Sequence, residues 1–400
     1  MHVRRCAITF VELDQEPRFD LLSVMRGGDG VDRGARWLAH APHLPEPVVV
    51  ELAQMQVLQQ VPRDVDVPLD ELAAAHGEAV VRSLLAAGLL LGTDSDAAWR
   101  RRDDAIRAVP WWGPAVIAQN AGAWRDIDIQ ALRDAGSMPD SHELVATNGP
   151  APDHEYRRNA AAPRPLPPPT RSAFDDLLRA RRTCRNFDPA AEVSADDLAT
   201  MLHRVWGAVG TLELAPGAVA VKKTSPAGGG LHSIEAYVLV QRAEGVAPGV
   251  HHYLAMEHAL EPIRLMSPEQ TARTLRRFVA GQEWFFDAPV AVVMTARFDR
   301  LFWKYRRHAK AWRVSHLDVG HLSQTMYLSA ADRGLGAFVT AAINDREIED
   351  VLGLEPFREA AIALVGFGPR SGRRDHVELD DVTLTAAARL AGHGDRSSNR

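Results

Sequence analysis

The sequence predicts an α+β protein with a smaller amino-terminal domain of winged-helix-like type, and three observations carry that prediction. Long apolar runs, residues 234–240 (IEAYVLV) and 289–295 (PVAVVMT), are separated by helical patterns, as in a buried sheet covered by helices. Residues 148–170 (NGPAPDHEYRRNAAAPRPLPPPT) are Pro-rich with few apolar side chains, so they read as an extended linker. Ahead of them, a short helix, a turn, a longer helix and Gly88-Leu89-Leu90 follow one another as in a winged helix. The expected organisation is an amino-terminal domain at 1–147, a linker at 148–170, a ligand-binding domain at 171–385 and a disordered tail at 386–400.

Composition narrows the class. A chain of 400 residues with 46% hydrophobic content can bury the cores of one large and one small domain. Cys6 and Cys184 are its two cysteines, which offers neither a disulfide framework nor a metal quartet and fits a reducing compartment. No apolar run is long enough for a signal peptide or a membrane span, and the expectation is a cytoplasmic protein. The net charge of -6 argues against nucleic-acid binding, which needs a net basic face. Only four of the 46 basic residues are lysine, namely Lys222, Lys223, Lys304 and Lys310.

In chain order, residues 1–25 alternate weakly around Ala7–Val11 and read as a strand, with further strands near 48–52 and 57–58. A short helix is expected at 68–73 and a second at 78–91, with Val80, Val81, Leu84 and Leu85 apolar and Gly88 ending it. Arg82 is the only cation on that second helix, so it does not read DNA. Two uses remain open for the domain: gripping an extended peptide at a strand edge, or buttressing its neighbour. Residues 98–108 carry Arg100-Arg101-Arg102 and read as a solvated helix. Trp111, Trp112 and Trp124 read as anchors of a domain contact.

Beyond the linker, residues 174–181 form a helix with Phe174, Leu177 and Leu178 on one face. It runs into Arg181-Arg182-Thr183-Cys184-Arg185-Asn186-Phe187, three guanidiniums and a hydroxyl within five residues, which suits an anion better than a solvated charge run. Ser194 caps a helix whose Leu198, Met201, Leu202, Val205 and Trp206 form one buried stripe. Gly228–Gly230 then precede the strand at 234–240. Without Cβ atoms they serve either to lay backbone against a flat ligand or simply as a surface turn. On the long helix expected at 314–333, His316 and His321 are five apart and His251-His252 has no partner at ligand spacing, so no metal site is expected. Gly320 reads as a point of close helix approach. Asn344 and Glu347 read as a capping box, with Ile343 stapled onto Ile348.

The order RRTCRNF, TSPAGGGLHSIEAYVLV, PGVHHY, WKYRRHAKAWRVSHLDVGHLSQTMYLSAADRGLGAF and LVGFG resembles the flavin-dependent nitroreductase superfamily. More narrowly it resembles the SagB-type dehydrogenases, which oxidise azolines to azoles in ribosomally made peptides. The likeness covers roughly residues 171–370 and implies a nitroreductase-like FMN-binding fold. It implies that Arg181, Arg182, Thr183 and Arg185 hold the FMN phosphate and ring edge. Pro226, Ala227, Gly228 and Gly229 would form the loop against the flavin, with Gln324 and Gly336 also at the cofactor. Ala227 stands where a serine is usual and Ser233 where a proline is usual. Arg370, Arg373 or Arg374 would add a second cation at the phosphate.

The same resemblance makes Lys304 and Tyr305 a catalytic dyad, whereas the residues alone would make Lys304 a surface cation. Removing a proton from the ring Cα and a hydride from the adjacent carbon needs a base, and a desolvated lysine beside Arg306 can serve. The implied partners are a precursor peptide with leader and azoline-bearing core, a cyclodehydratase, and a second copy of the chain in a homodimer. The implied function is FMN-dependent azoline oxidation. The alternatives are an NAD(P)H-dependent reductase of dehydroamino acids, quinones or nitro compounds, and a flavin-free scaffold in a maturation complex.

Overall fold

A computed structural model describes residues 1–152 and 164–378 of the chain. Residues 153–163 of the expected linker and the whole expected tail at 386–400 lie outside the described residues. The chain forms two compact units. The first comprises Met1–Ala123 together with Arg297–Ser315 and Leu354–Ala360; the second comprises the described residues of Trp124–Ala296, His316–Gly353 and those from Ala361 on. The helices Ile129–Asp134 and Ser141–Asn148, ahead of the Pro-rich stretch, therefore group with the second unit.

In the first unit, strands Phe10–Asp14, Arg36–His40 and Val48–Val50 form an antiparallel sheet, and His2–Arg5 lies between Val67–Pro68 and Leu90–Gly92 in another. Helices Leu52–Gln60, Leu69–His76 and Glu78–Ala86 follow. Val57 and Leu58, expected in a strand, are helical and buried. A nine-residue helix places those two neighbours beside the inward turn, where Val81, Leu84, Leu89 and Leu90 complete the core. The second expected helix stops at Ala86, because Gly88 takes a φ of 74° and turns the chain into the strand Leu90–Gly92.

The helix Ala97–Ala108 is not simply solvated. Its Asp103 is fully buried and accepts hydrogen bonds from the Ala7 amide (2.5 Å) and Arg107 Nε (2.7 Å). Trp111 packs against Phe298 and Phe302, with ring centroids 4.3 and 4.8 Å away, and its indole N–H donates to the Phe357 carbonyl at 2.9 Å. One tryptophan thus ties the later segments of the first unit to its amino-terminal part.

The second unit is built on a six-stranded sheet in the order Ala259–Leu265, Gly249–Leu254, Ile234–Val240, Val290–Arg297, Glu359–Gly368, Gly336–Thr340. The central pair Ile234–Val240 and Val290–Arg297 is antiparallel and buried along almost its whole length, which is why both read as unbroken apolar runs. Helix Ala195–Trp206 buries Leu198, Met201, Leu202, Val205 and Trp206, and its Ser194 accepts from the Asp197 amide at 3.0 Å as expected of a cap. The long helix runs from Ala309 to Asp332. No helix among the described residues is long and apolar enough to cross a membrane.

One cap differs from expectation. Asn344 begins the helix Asp345–Leu352 without a side-chain cap bond. Its Oδ1 accepts from the Ile127 amide at 2.9 Å, and Glu347 accepts from the Asp126 amide at 2.9 Å. Both side chains are buried against segment 124–127, whose backbone donors outcompete the helix's own. Within the single chain, the space beside Gly320 is open.

Candidate functional site

The arginine-rich segment follows the helix Ala173–Ala180 and turns extended at Arg181. The Cys184 amide then donates to the Ala337 carbonyl at 2.7 Å, so the segment runs along the strand Gly336–Thr340. Gly336 permits this approach: a Cβ there would stand 2.5 Å from Cys184 Sγ and 2.8 Å from its Cβ. Burial pushes the Cys184 thiol up to about 12, which marks it as packing rather than a nucleophile. Thr183 Oγ1 lies 3.0 Å from the Tyr327 hydroxyl, which also accepts from the Val339 amide at 3.1 Å. Arg181 stands over the Tyr327 ring, 5.3 Å from its centroid.

The other implied cations are bonded to the chain's last described residues. Arg185 donates through Nη1 to the Val377 carbonyl at 3.0 Å and through its amide to Glu378 at 2.7 Å. Glu378 also accepts from the Asn186 amide (3.1 Å) and from Asn186 Nδ2 (2.9 Å), and pairs with Arg370. Arg373 pairs with Asp375 at 2.8 Å. Glu378 is the hub of this network, with a side chain only 1% exposed, and its donors and Arg370 hold its carboxyl below the usual range against the opposing effect of burial.

The glycine loop is fastened to helix Ala309–Asp332. Gly228 N–H donates to Asp318 Oδ1 at 2.9 Å, the Pro226 carbonyl faces His321 Nδ1 at 3.3 Å, and Ser225 Oγ meets Thr325 Oγ1 at 2.6 Å. Gly229 and Gly230 adopt φ of 63° and 69°, and the space beside Gly230 is open. Two buried oxygens flank the loop without a partner among the described residues, Ser233 Oγ and Asp318 Oδ2. A backbone free of Cβ atoms beside open space suits a planar ligand, and a half-buried Arg181 and Thr183 next to Arg182 suit phosphate oxygens. The residues present thus fit a flavin nucleotide in kind.

The structure does not bring these two parts together within one chain. Asp318, His321 and Thr325 share one face of the long helix, whereas Tyr327, nine residues or about two and a half turns from Asp318, looks the opposite way. Gln324 is exposed on the same helix. Lys304 and Tyr305 belong to the first unit, at the end of the helix Phe298–Lys304, and the lysine lies 5.6 Å from the tyrosine ring centroid. Lys304 is exposed, so the desolvation expected of it is not met by the described residues.

Sequence reasoning missed Asp318, Tyr327, Asn186 and Glu378. The spacing of Asp318, His321 and Thr325 on one helix face was the available signal for the first, while nothing local marks Glu378.

Residues 178–369, just under half of the chain, match the nitroreductase family model, so this stretch is similar to nitroreductase-family domains. Among named proteins it is similar to the trifolitoxin-processing protein TfxB of Rhizobium leguminosarum bv. trifolii, 30% identical over 43% of this chain and 46% of that protein. It is also similar to the microcin B17-processing protein McbC of Escherichia coli, 27% identical over 37% of this chain and 55% of that protein. The chain thus spans about half the length of these two relatives. Among solved structures, the E. coli microcin synthetase McbBCD complex with truncated pro-MccB17 bound aligns over 68% of this chain and 92% of that chain, at 20% identity and a TM-score of 0.48.

Proposed function

We propose that the chain is an FMN-dependent dehydrogenase of peptide maturation that oxidises thiazoline or oxazoline rings to azoles. The observation that carries the reading is the glycine loop Gly228–Gly230, strapped to a helix and open on its free side, in a domain similar to two peptide-processing proteins. FMN, when bound, supplies the acceptor for the hydride. Arg181, Arg182 and Thr183 would donate to its phosphate and the loop from Pro226 to Gly229 would carry its ring. Gln324, Gly336 and the cations Arg185, Arg370 and Arg373 complete the set proposed to surround it.

Lys304 is the group proposed to take the ring Cα proton, with Tyr305 orienting the ring. Because Lys304 is exposed in the chain by itself, the bound peptide is what would strip water from it. The loop and the arginine segment sit on opposite faces of one helix, which favours a homodimer in which each cofactor meets the loop of one copy and the arginines of the other. The uncovered apolar side chains Phe174 (57% exposed) and Leu317 (55%) fit that arrangement. An azoline-bearing precursor peptide and a cyclodehydratase are the proposed partners, in the cytoplasm, with the amino-terminal domain gripping leader or partner.

The test is the visible spectrum of the purified protein under anaerobic conditions. A yellow protein that bleaches with an azoline peptide and not with NADPH is expected; rapid bleaching by NADPH alone would mean a reductase, and a colourless protein that cannot be loaded with FMN would mean a scaffold. Lys304→Ala should stay yellow and lose roughly 10²–10⁴-fold in ring oxidation. A flavin-loaded variant with the parental rate removes Lys304 as the base.

A further inference from the structure

Three polar side chains at positions 318, 321 and 325 repeat at i, i+3 and i+7 on the long helix, and each holds a successive point of the glycine loop. The three attachments are unequal. Thr325 already donates to the His321 carbonyl at 3.0 Å, so Ser225, itself buried, is the donor to Thr325 and both hydroxyls are satisfied by ordinary neutral hydrogen bonds. His321 is exposed and its contact is long. Asp318 is different: it is a buried carboxyl whose Oδ1 takes the Gly228 amide and whose Oδ2 has no partner among the described residues.

A carboxyl group in that place costs folding stability, and burial raises its pKa accordingly. An apolar side chain of the same size would be cheaper for the fold alone. What the carboxyl does supply is an acceptor at the first of the three glycines, the one of the three side-chain attachments that reaches the glycine run itself. Glycine loses more backbone freedom on ordering than any other residue, and Gly229, Gly230 and His232 all stand at positive φ.

We propose that Asp318 is the positioning residue of the glycine loop: through its bond to Gly228 N–H it pre-forms the surface on which the flavin ring is to lie. The assignment rests on the FMN reading above for its purpose, but the loop-ordering part can be tested without any flavin.

The experiment compares the parent with Asp318→Asn, Asp318→Ala and Asp318→Leu. Amide hydrogen exchange at residues 227–231 is measured on flavin-free protein, FMN affinity by fluorescence titration, and Tm by circular dichroism. Loss of the acceptor should speed loop exchange and weaken FMN binding by roughly tenfold each in the Ala and Leu variants. Asp318→Asn, which keeps an acceptor oxygen, should stay within about threefold of the parent in both.

Asp318→Leu keeps the volume and removes the buried acid, so its Tm should equal or exceed the parental value while the loop loosens, a combination that a merely structural role does not produce. Parental exchange in the Leu variant, or an Asn variant no better than Leu, overturns the assignment. Loosened exchange in a protein whose parent binds no FMN would leave Asp318 as the loop's anchor and remove the flavin reading instead.

Discussion

Ser233 and Gly336 show how a single side chain can be bound by its immediate surroundings. Ser233 follows the glycine loop with its hydroxyl fully buried and unpartnered, and an unpaired buried polar group costs about 1–3 kcal/mol. Ser233→Ala should therefore raise thermal stability by about 1 kcal/mol, read as a higher Tm in a melting curve. Gly336→Ala should do the reverse. Its new methyl would enter the space of Cys184, which is fully buried and cannot retreat, and a loss of about 1–3 kcal/mol is expected in a urea titration.

The helix Asp345–Leu352 carries its chemistry on its first turns, and there the cost is electrostatic. Burial pushes Asp345 up to about 6 and Glu349 up to about 7, the latter against the pull of Arg346 at 2.7 Å, and it raises Glu347 as well. A carboxyl whose pKa is higher folded than unfolded binds more protons in the folded state, so its contribution is present at low pH and is lost as pH rises through the folded value. The second unit should accordingly lose stability between about pH 4 and pH 7, measured as a falling urea midpoint, with Glu349→Gln flattening the upper part of that slope. A midpoint that rises over this window in the parent, or an unchanged slope in the variant, would refute the assignment. These acids stay because they bind backbone: Asp345 accepts from the Trp124 amide at 2.9 Å beside the bonds of Asn344 and Glu347 to segment 126–127.

At the scale of the molecule, the first unit is assembled from three separate stretches of chain. Trp111 finds Phe298, Phe302 and the Phe357 carbonyl there, nearly two hundred residues or more downstream. A fragment of residues 1–147 lacks all three partners and leaves Trp111 in water. It should show no cooperative change in tryptophan fluorescence with urea, whereas the full chain shows one; a sharp transition in the fragment would mean that the amino-terminal stretch folds without the later segments.

Much of the second unit could be read from the chain in order. The buried strands announce themselves as apolar runs, the helix at 195–206 by its stripe and its serine cap, and the arginine segment and glycine loop by composition, because each of these signals lies within a dozen residues. The residues that misled were those whose partners are remote. Asn344 and Glu347 have capping-box spacing but turn to a segment more than two hundred residues away, and Val57 and Leu58 look like a strand until the surrounding core makes them helical. Asp318 was marked only by its spacing with His321 and Thr325 and Glu378 by nothing local, since a carboxylate becomes an anchor only when amides from elsewhere are delivered to it.

The sequence by itself determined the main buried strands and helices of the second unit and which stretches are arginine-rich and glycine-rich, since those follow from periodicity and side-chain chemistry. Only the tertiary structure decided that the loop and the arginines lie on opposite faces of one helix and that Lys304 belongs to the other unit, because hydrogen bonds across long separations are chosen by packing and not by neighbours in the chain.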